Sequence, residues 1–371
     1  MKKKIKIFQV FESYPSSYAT YIPPTLDLLS KQEYIDSNSI VFKGDSRPKN
    51  VFIIPNYKKR SLYDKANKLF FPYKGIYNYL ERKALRENID LIHIQHSYLF
   101  TKVKGFLDYP EKKQPKIVIT LRGGDTYIKP WISMQWQDFY KNYGEKVDAF
   151  VVMSEHQKLY LSRWNVPLEK IHVIPISFGQ PFKVEPKYPN QDKLKIASVF
   201  RMCWEKNIAD NLRLIKKIKE LGVSLQYDVY GDGPDMGQLY YLLDRYGLND
   251  VVNVMGKVEN SFIKSNINNY DFVLQLSHSE AFPTSILEAQ SHGVPAIVSN
   301  AGGLPELVCD KKNGLIGDFN NLESLATITV NLWKDKNQYF TFSELSIKNA
   351  QDNYNTRKEV NSLVSLYNNL Q

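Results

Sequence analysis

Cysteine is nearly missing from this chain. Cys203 and Cys309 are the two in 371 residues, and neither has a partner at metal-ligand spacing. A disulfide framework is excluded, and a reducing, cytosolic compartment is the default. No apolar run approaches the roughly 18 residues that cross a bilayer. The start, Met1-Lys-Lys-Lys-Ile-Lys-Ile-Phe-Gln-Val-Phe-Glu12, has the basic opening of a signal peptide without its apolar core, because Gln9 interrupts the short run between Lys6 and Glu12. It reads as a first strand. Gly-x-Ser-x-Gly elbows, P-loops and His/Cys/Asp clusters are also missing, so nothing demands a metal and those hydrolase and NTPase chemistries lose their signals. Acid is in short supply: 39 Asp and Glu against 49 Lys and Arg leave a formal charge of +10. That balance suits nucleic acid, an anionic membrane, phosphorylated small molecules or a plainly solvated basic surface.

What is present argues for a folded α/β protein. Hydrophobic residues make up 43% and aromatics 13%, too much for a disordered chain. The length implies two domains at about 150 residues each. Short apolar runs read as buried parallel strands: Ile5 to Val10, Leu91 to Ile94, Lys116 to Leu121, Ala149 to Met153, Lys195 to Phe200, Leu225 to Tyr230, Val251 to Val254, Phe272 to Leu276 and Ala296 to Ser299. Between them lie helical spacings such as Ile208 to Leu221 and Met236 to Tyr246. Alternation of this kind predicts two Rossmann-like parallel sheets, with ligands beyond the strands' carboxyl ends in a cleft between domains. Pro175, Pro181, Pro186 and Pro189 separate the two strand series. The expected division is a first Rossmann-like domain over 1–175, a linker over 176–192 and a second Rossmann-like domain over 193–350. A closing helix over 351–371 would pack back on the first domain.

The most informative stretch runs from Ser277 through Glu280-Ala-Phe-Pro-Thr-Ser-Ile-Leu-Glu288 to Gly293 and on to Gly302-Gly-Leu-Pro-Glu306. It follows a strand, and Pro283, Thr284 and Ser285 suit a helix start that Gly293 later ends. Free amides around Ala281, Phe282, Pro283, Thr284 and Ser285 would bind phosphate. Glu280 and Glu288 are carboxylates that accept paired bonds from vicinal hydroxyls, one on a sugar and one on a ribose. The competing reading makes Glu280 a charge favoured by the helix dipole and Glu288 a surface residue.

These residues resemble the E-x7-E signature of the retaining family 4 glycosyltransferases of GT-B fold, in particular those building bacterial polysaccharide and lipopolysaccharide. Phe200-Arg201-Met-Cys-Trp-Glu-Lys206-Asn207 is similar to the family's Gly-Arg-x4-Lys-Gly loop, whose Arg and Lys grip the donor diphosphate. Gly231-Asp-Gly233-Pro234 resembles its Gly-x-Gly-Pro turn, Gly256-Lys257-Val258 the base-pocket segment, and Asn313-Gly314-Leu315 a late turn. Phe200, Asn207 and Ala281 stand where the family commonly has Gly, and Phe200 puts the path of its loop in question. The resemblance makes 1–175 the acceptor-binding domain and 193–350 the nucleotide-sugar-binding domain, and it implies hexosyl transfer with retention and without a metal or other cofactor. Arg201, Lys206 and the helix amides would stabilise the leaving diphosphate, Glu280 would orient the sugar and Glu288 the ribose. Gly231, Lys257 and Val258 would line the nucleotide site, and the turn at Gly302, Gly303 and Leu304 would close on the donor, a UDP-sugar ahead of a GDP-sugar. A catalytically silent glycan- or lipid-binding subunit is the alternative, with Phe200 and Asn207 as its support.

The first half is less specific. Tyr14-Pro-Ser-Ser-Tyr18-Ala-Thr-Tyr-Ile22 resembles a loop after the first strand of bacterial polysaccharide members, Asp90-Leu-Ile-His93-Ile-Gln-His96 an Asp-x-Ile-His-x-His segment, and Thr120-Leu-Arg122-Gly-Gly-Asp125 a Thr-x-His-Gly-x-Asp segment. Tyr18, His96, Arg122 and Asp125 are thereby placed on the acceptor side. Arg122 replaces the family's His; it stays protonated and cannot act as a base, but it can hold a carboxylate or phosphate. His93 and His96 fit a packed core as readily as a site. Between 58 and 74, Lys58, Lys59, Arg60, Lys65, Lys68 and Lys74 face a single acid, Asp64, among aromatics. That composition suits an anionic membrane surface, a solvated helix or single-stranded nucleic acid, and no nucleic-acid fold accompanies it. The expected partners are a nucleotide sugar and a glycan or lipid-linked glycan, at the cytoplasmic face of a membrane.

Overall fold

The computed structural model describes residues 4–14, 21–44, 51–55, 61–62, 65–66, 77–110 and 113–371. The chain divides into two units, Met1–Pro175 with Glu359–Gln371, and Ile176–Lys358. Each unit is built on its own parallel sheet.

The first unit holds β1 (Ile5–Ser13), β2 (Ile35–Lys43), β3 (Val51–Ile53), β4 (Leu91–Ile94), β5 (Lys116–Thr120), β6 (Ala149–Val152) and β7 (Ile171–Val173), in the order β3-β2-β1-β4-β5-β6-β7. Every neighbouring pair is parallel. β4, β5 and β6 are buried almost throughout, as strands covered on both faces are, and so read as mainly hydrophobic runs. Phe8, Phe106, Phe139 and Phe150 are almost fully buried between the layers, each contributing about 1.5–3 kcal/mol by leaving water. The helix Thr356–Asn369 places Val360, Leu363, Leu366 and Tyr367 on one buried face. Tyr367 OH receives Gln9 Nε2 at 3.2 Å and meets His93 Nδ1 at 2.7 Å, so the last helix is built into this unit. It starts later than residue 351, because the preceding helix, Lys336–Asn353, runs on to there and breaks at Tyr354.

The second unit holds β8 (Leu194–Val199), β9 (Leu225–Tyr230), β10 (Val252–Gly256), β11 (Phe272–Gln275), β12 (Ala296–Ser299) and β13 (Gly314–Gly317), all parallel, in the order β10-β9-β8-β11-β12-β13. Strand order reverses between β8 and β11, and in such sheets that reversal opens a crevice beyond the carboxyl ends. Tyr227, Phe272 and Tyr339 fill the core, and the buried Tyr339 hydroxyl is satisfied by the Asp271 carbonyl at 2.7 Å. The proline-bearing stretch after Pro175 is tied to this unit: Lys187 Nζ donates to the Asn268 and Tyr270 carbonyls at 2.7 and 2.6 Å, and the Asn190 amide to Asp271 at 2.7 Å.

Four strands, β2, β3, β7 and β13, lie outside the runs read from sequence. β2 opens on Ile35-Asp-Ser-Asn-Ser, β3 and β7 are three residues long, and β13 begins and ends in glycine. Each falls below the length or apolarity that periodicity detects.

Candidate active site

In the second unit, the loops after β8 and β11 meet at the strand-order reversal. After Val199 the chain makes a single turn, Trp204–Lys206, and then Asn207 takes a left-handed conformation (φ +51°) and caps the helix Ile208–Glu220, its side chain accepting from the Asp210 amide at 3.3 Å. Asn is among the few residues besides Gly that adopt this geometry at low cost. The loop therefore keeps the bend a glycine would have given it. Phe200 takes no positive φ and its ring packs against the core of the unit, so its bulk is turned away from the loop. Gly231 (φ +125°) and Gly233 are forced by what lies opposite: a Cβ would sit 1.9 Å from the Phe200 carbonyl oxygen and 2.2 Å from that of Met202.

Lys206 Nζ forms an ion pair with Glu280 Oε2. Their side chains are 18% and 13% exposed, so the pair is largely withdrawn from water. The same carboxylate oxygen accepts Gln275 Nε2 at 2.7 Å, and the other accepts the Ala281 amide at 3.2 Å. Gln275, at the end of β11, also accepts the Ser285 hydroxyl at 3.2 Å, which ties the carboxylate to the first turn of the helix Thr284–Ser291. Pro283 precedes that helix and gives it no side-chain cap. Its first-turn amides thus carry the positive end of the helix dipole. Asn211 joins the two loops: its Nδ2 donates to the Lys206 carbonyl at 2.9 Å while its Oδ1 accepts the Leu276 amide at 3.0 Å. Arg201 is exposed, and its guanidinium makes no ion pair among the described residues.

Glu288 lies elsewhere on that helix and is not a surface residue. It is 6% exposed, receives Asn260 Nδ2 at 3.1 and 3.2 Å and pairs with Lys264 at 3.6 Å. Burial lifts its carboxyl above the usual range, and Lys264 and Asn260 oppose that lift. Phe282 is buried against Tyr354 at 5.1 Å, so its ring is core and only its backbone remains for a ligand. The Gly302 turn closes on protein: the Gly303 amide binds the Glu280 carbonyl at 3.0 Å, and a Cβ at Gly302 (φ +56°) would fall 1.8 Å from that oxygen. Leu304 is fully buried. Lys257 is exposed and Val258 half-buried just after the end of β10.

In the first unit, Arg122 follows β5. Its guanidinium donates to Gln95 Oε1 at 2.9 Å and to Tyr21 OH at 3.3 Å, partners that are both neutral, so its charge is not cancelled by them. Asp125 is buried, and its carboxylate takes the Arg122 and Gly123 amides and the Ser97 hydroxyl at 2.6 Å, which braces the loop. His96 Nδ1 accepts the Glu12 amide at 3.4 Å, leaving the ring proton on Nε2; burial and the Arg122 charge hold its pKa down. His93 is a core residue between Tyr367 and Thr120, with its pKa pushed down to about 3 by burial. Tyr18 lies outside the described residues, as does most of the basic stretch 58–74, of which Lys65 is described and exposed.

Family comparison decides the class. The family model "Glycosyltransferase Family 4" matches residues 40–176, and "Glycosyl transferases group 1" matches residues 180–349. The chain belongs to the family 4 glycosyltransferases of GT-B fold. This glycosyltransferase is 27% identical over 194 residues to the putative colanic acid biosynthesis glycosyltransferase WcaL of Escherichia coli, a match spanning 50% of the chain and about half, 48%, of that relative's length. It is 23% identical over 307 residues to N-acetyl-alpha-D-glucosaminyl L-malate synthase of Bacillus anthracis, 76% of each chain. Among solved structures, Anabaena HepE in complex with UDP superposes with a TM-score of 0.72 at 13% identity, covering 98% of this chain and 99% of the other, which is a likeness of fold.

Within the glycosyltransferase the geometry brings Lys206, Glu280 and the start of the helix Thr284–Ser291 together. It sets Glu288 apart, buried and held by Asn260 and Lys264. Gln275 and Asn211 escaped sequence reasoning. The available signal was a polar residue closing an otherwise apolar strand, and an Asn in the first helical turn after the basic loop. The cluster offers a cation, uncapped helix amides and a fixed carboxylate within one short region, which suits an anionic group carrying hydroxyls.

Proposed function

We propose that this glycosyltransferase moves a hexosyl group, with retention, from a nucleoside-diphosphate sugar to a hydroxyl of a surface-polysaccharide or lipid-linked glycan acceptor. The observation that carries the reading is the Lys206–Glu280 pair beside the uncapped helix start at the β8/β11 reversal. Donor binding splits the pair. Lys206 turns to the diphosphate with Arg201 and the helix amides, and Glu280, held by Gln275, accepts sugar hydroxyls. The C1–O bond to the diphosphate breaks as negative charge grows on the leaving oxygen, where a preorganised cation and amides act most strongly. That oxygen takes the acceptor hydroxyl's proton, and the new C1–O bond forms on the face the diphosphate leaves. No step calls on a metal. Glu288 holds the ribose.

A UDP-sugar is the first donor to test, supported by the UDP that HepE binds. A surface polysaccharide is supported by the name of the WcaL relative. The silent-subunit reading loses its support where Asn207 keeps the left-handed bend and Phe200 turns into the core. A thermal-shift screen over nucleoside-diphosphate sugars tests donor choice, because a ligand at 100 times its dissociation constant stabilises the native state by about 2.7 kcal/mol. Transfer is then followed by the anomeric configuration of the product. Absence of any donor shift, or an inverted product, overturns the proposal.

A further inference from the structure

An open cavity of about 410 Å³ lies in the second unit, between the helix Ile208–Glu220 and the start of the helix Leu322–Lys334. It shares no residue with the cluster around Lys206 and Glu280. One wall is cationic: Arg213, Lys216 and Lys217 stand three and four residues apart, which puts them on one helix face. The other wall is the first turn of the helix Leu322–Lys334, the positive end of its dipole. Tyr246 and Phe319, both half-buried against the core, complete the lining with Asn320 and Asn321. A carboxylate already sits where an anion would. Glu323, 79% exposed, reaches from the second wall to Lys217 Nζ at 2.9 Å. Glu220 shares Lys217 at 3.2 Å and lies 4.0 Å from Lys216, while Asp210 holds Arg213 at 2.8 Å. Exposed pairs of this kind hold weakly. A phosphate group offers three strong acceptor oxygens to several cations at once and can take the place of Glu323, which is free to swing into water.

The cavity is larger than phosphate alone needs and falls within the range of small-molecule sites. Aromatic rings suit the apolar face of a sugar, and the amides of Asn320 and Asn321 suit its hydroxyls. Two contacts lead from the cavity to the loops that carry Lys206 and Glu280. Asp210, the partner of Arg213, also accepts Asn207 Nδ2 at 2.9 Å, and Asn207 is the left-handed residue that closes the Lys206 loop. Phe319 meets the His278 ring edge-on at 5.4 Å, and the His278 amide donates to the Glu205 carbonyl at 2.8 Å. His278 stands two residues before Glu280, and Glu205 one before Lys206. We propose that this cavity is an effector site for a phosphorylated sugar, held by Arg213, Lys216 and Lys217 at the phosphate and by Tyr246 and Phe319 along the ring, whose occupancy steadies the Lys206 and Glu280 loops. A ligand bridging the two helices fixes Phe319 and through it His278, so a donor binding those loops has less left to order. Occupancy of the cavity is independent of the transfer reading, and its effect on donor binding rests on that reading.

Calorimetric titration of the full chain compares glucose 6-phosphate, glucose 1-phosphate and N-acetylglucosamine 1-phosphate with inorganic phosphate and with glucose. At least one ester is expected to bind about tenfold or more tighter than either fragment. Lys216→Gln with Lys217→Gln changes half-exposed side chains and is expected to weaken that binding by about tenfold or more. Lys219→Gln, on the same helix but paired with Asp250 outside the cavity, serves as the control and is expected to bind as wild type. With the ester saturating, UDP is expected to bind about fivefold or more tighter, and the ester to gain the same factor from UDP. The Lys216/Lys217 double variant should bind UDP as wild type without ester and lose the gain. Failure of every ester to bind, wild-type binding by the double variant, or displacement of the ester by UDP overturns the proposal. Inorganic phosphate binding as tightly as the esters overturns the sugar assignment, and an unchanged UDP affinity overturns the effector role. A chain that binds the ester through Lys216 and Lys217 yet takes up no UDP would refute the donor reading instead. The His278 ring resonances on addition of ester alone then test the coupling: a shift supports it, and unmoved signals overturn it.

Discussion

Replacing Lys206 by Met removes one partner of a pair that is largely withdrawn from water. Glu280 would keep Gln275 Nε2 and the Ala281 amide, but it would lose its countercharge. Breaking a fully buried pair costs about 3–5 kcal/mol. With 13% of the Glu280 side chain exposed and two hydrogen bonds kept, about 2 kcal/mol is the expected loss. For a unit of this size that lowers Tm by about 4–8 °C. Transfer should fall further, by about 100–1,000-fold in kcat, the loss seen when a donor to a developing oxyanion is deleted. The decisive variant is the double, Lys206→Met with Glu280→Gln, in which the orphaned charge is gone. Its Tm should recover most of the loss while kcat stays at or below that of the single variant, because both functional groups are now missing. Calorimetry and initial rates on wild type, both single variants and the double complete the cycle. Strictly additive Tm changes would refute the ion pair as an energetic unit, and wild-type kcat in Lys206→Met would refute the role given to the lysine.

Gly231→Ala forces a Cβ to within 1.9 Å of the Phe200 carbonyl at φ +125°, so a loss of at least about 2 kcal/mol is expected; an unchanged melting curve would contradict the close approach. In the proposed role Glu288 accepts a pair of ribose hydroxyls most strongly when ionised, and burial lifts its pKa. Donor KM should therefore rise as pH falls through that lifted value, and Lys264→Met, which removes an opposing charge, should move the rise to higher pH. A KM profile unmoved by that change would refute it. His93 is held neutral with a pKa of about 3 against an ordinary 6.5. The unfolded chain binds the proton first, so this residue's contribution to stability is whole above about pH 6.5 and falls away as pH drops towards 3, by up to about 5 kcal/mol. Denaturant titrations of His93→Gln should show a shallower acid limb than wild type, and equal limbs would refute the assignment.

Fold was legible where burial writes itself into sequence. Nine strands lie in short, mainly apolar runs, and the E-x7-E stretch, with Pro283 at its start and Gly293 at its end, fixed a helix that the structure places at Thr284–Ser291. Strands that borrow their stability from neighbours, such as the three-residue β7 or the polar-headed β2, left no signal because pairing rather than their own composition holds them. The same limit hid Gln275 and Asn211. A residue that positions another through hydrogen bonds is recognisable only once the partners' places are known. Burial also changed the meaning of Phe282 and Leu304, whose neighbours in sequence suggested ligand contact while their side chains belong to the core.

Because the first unit is completed by Glu359–Gln371, with Tyr367 seated between Gln9 and His93, the order of synthesis and the order of completion differ. Domains usually fold as they emerge, the first ahead of the second, at about 5–20 residues per second. Here the second unit has its whole sequence before the first has its last helix. Until residues 359–371 emerge, the nascent first unit exposes the apolar seat of Val360, Leu363, Leu366 and Tyr367, and a chain stalled between residues 317 and 359 carries every strand of both sheets but lacks the helix that covers the first. Truncation near the carboxyl terminus should therefore be felt at the amino-terminal end of the chain.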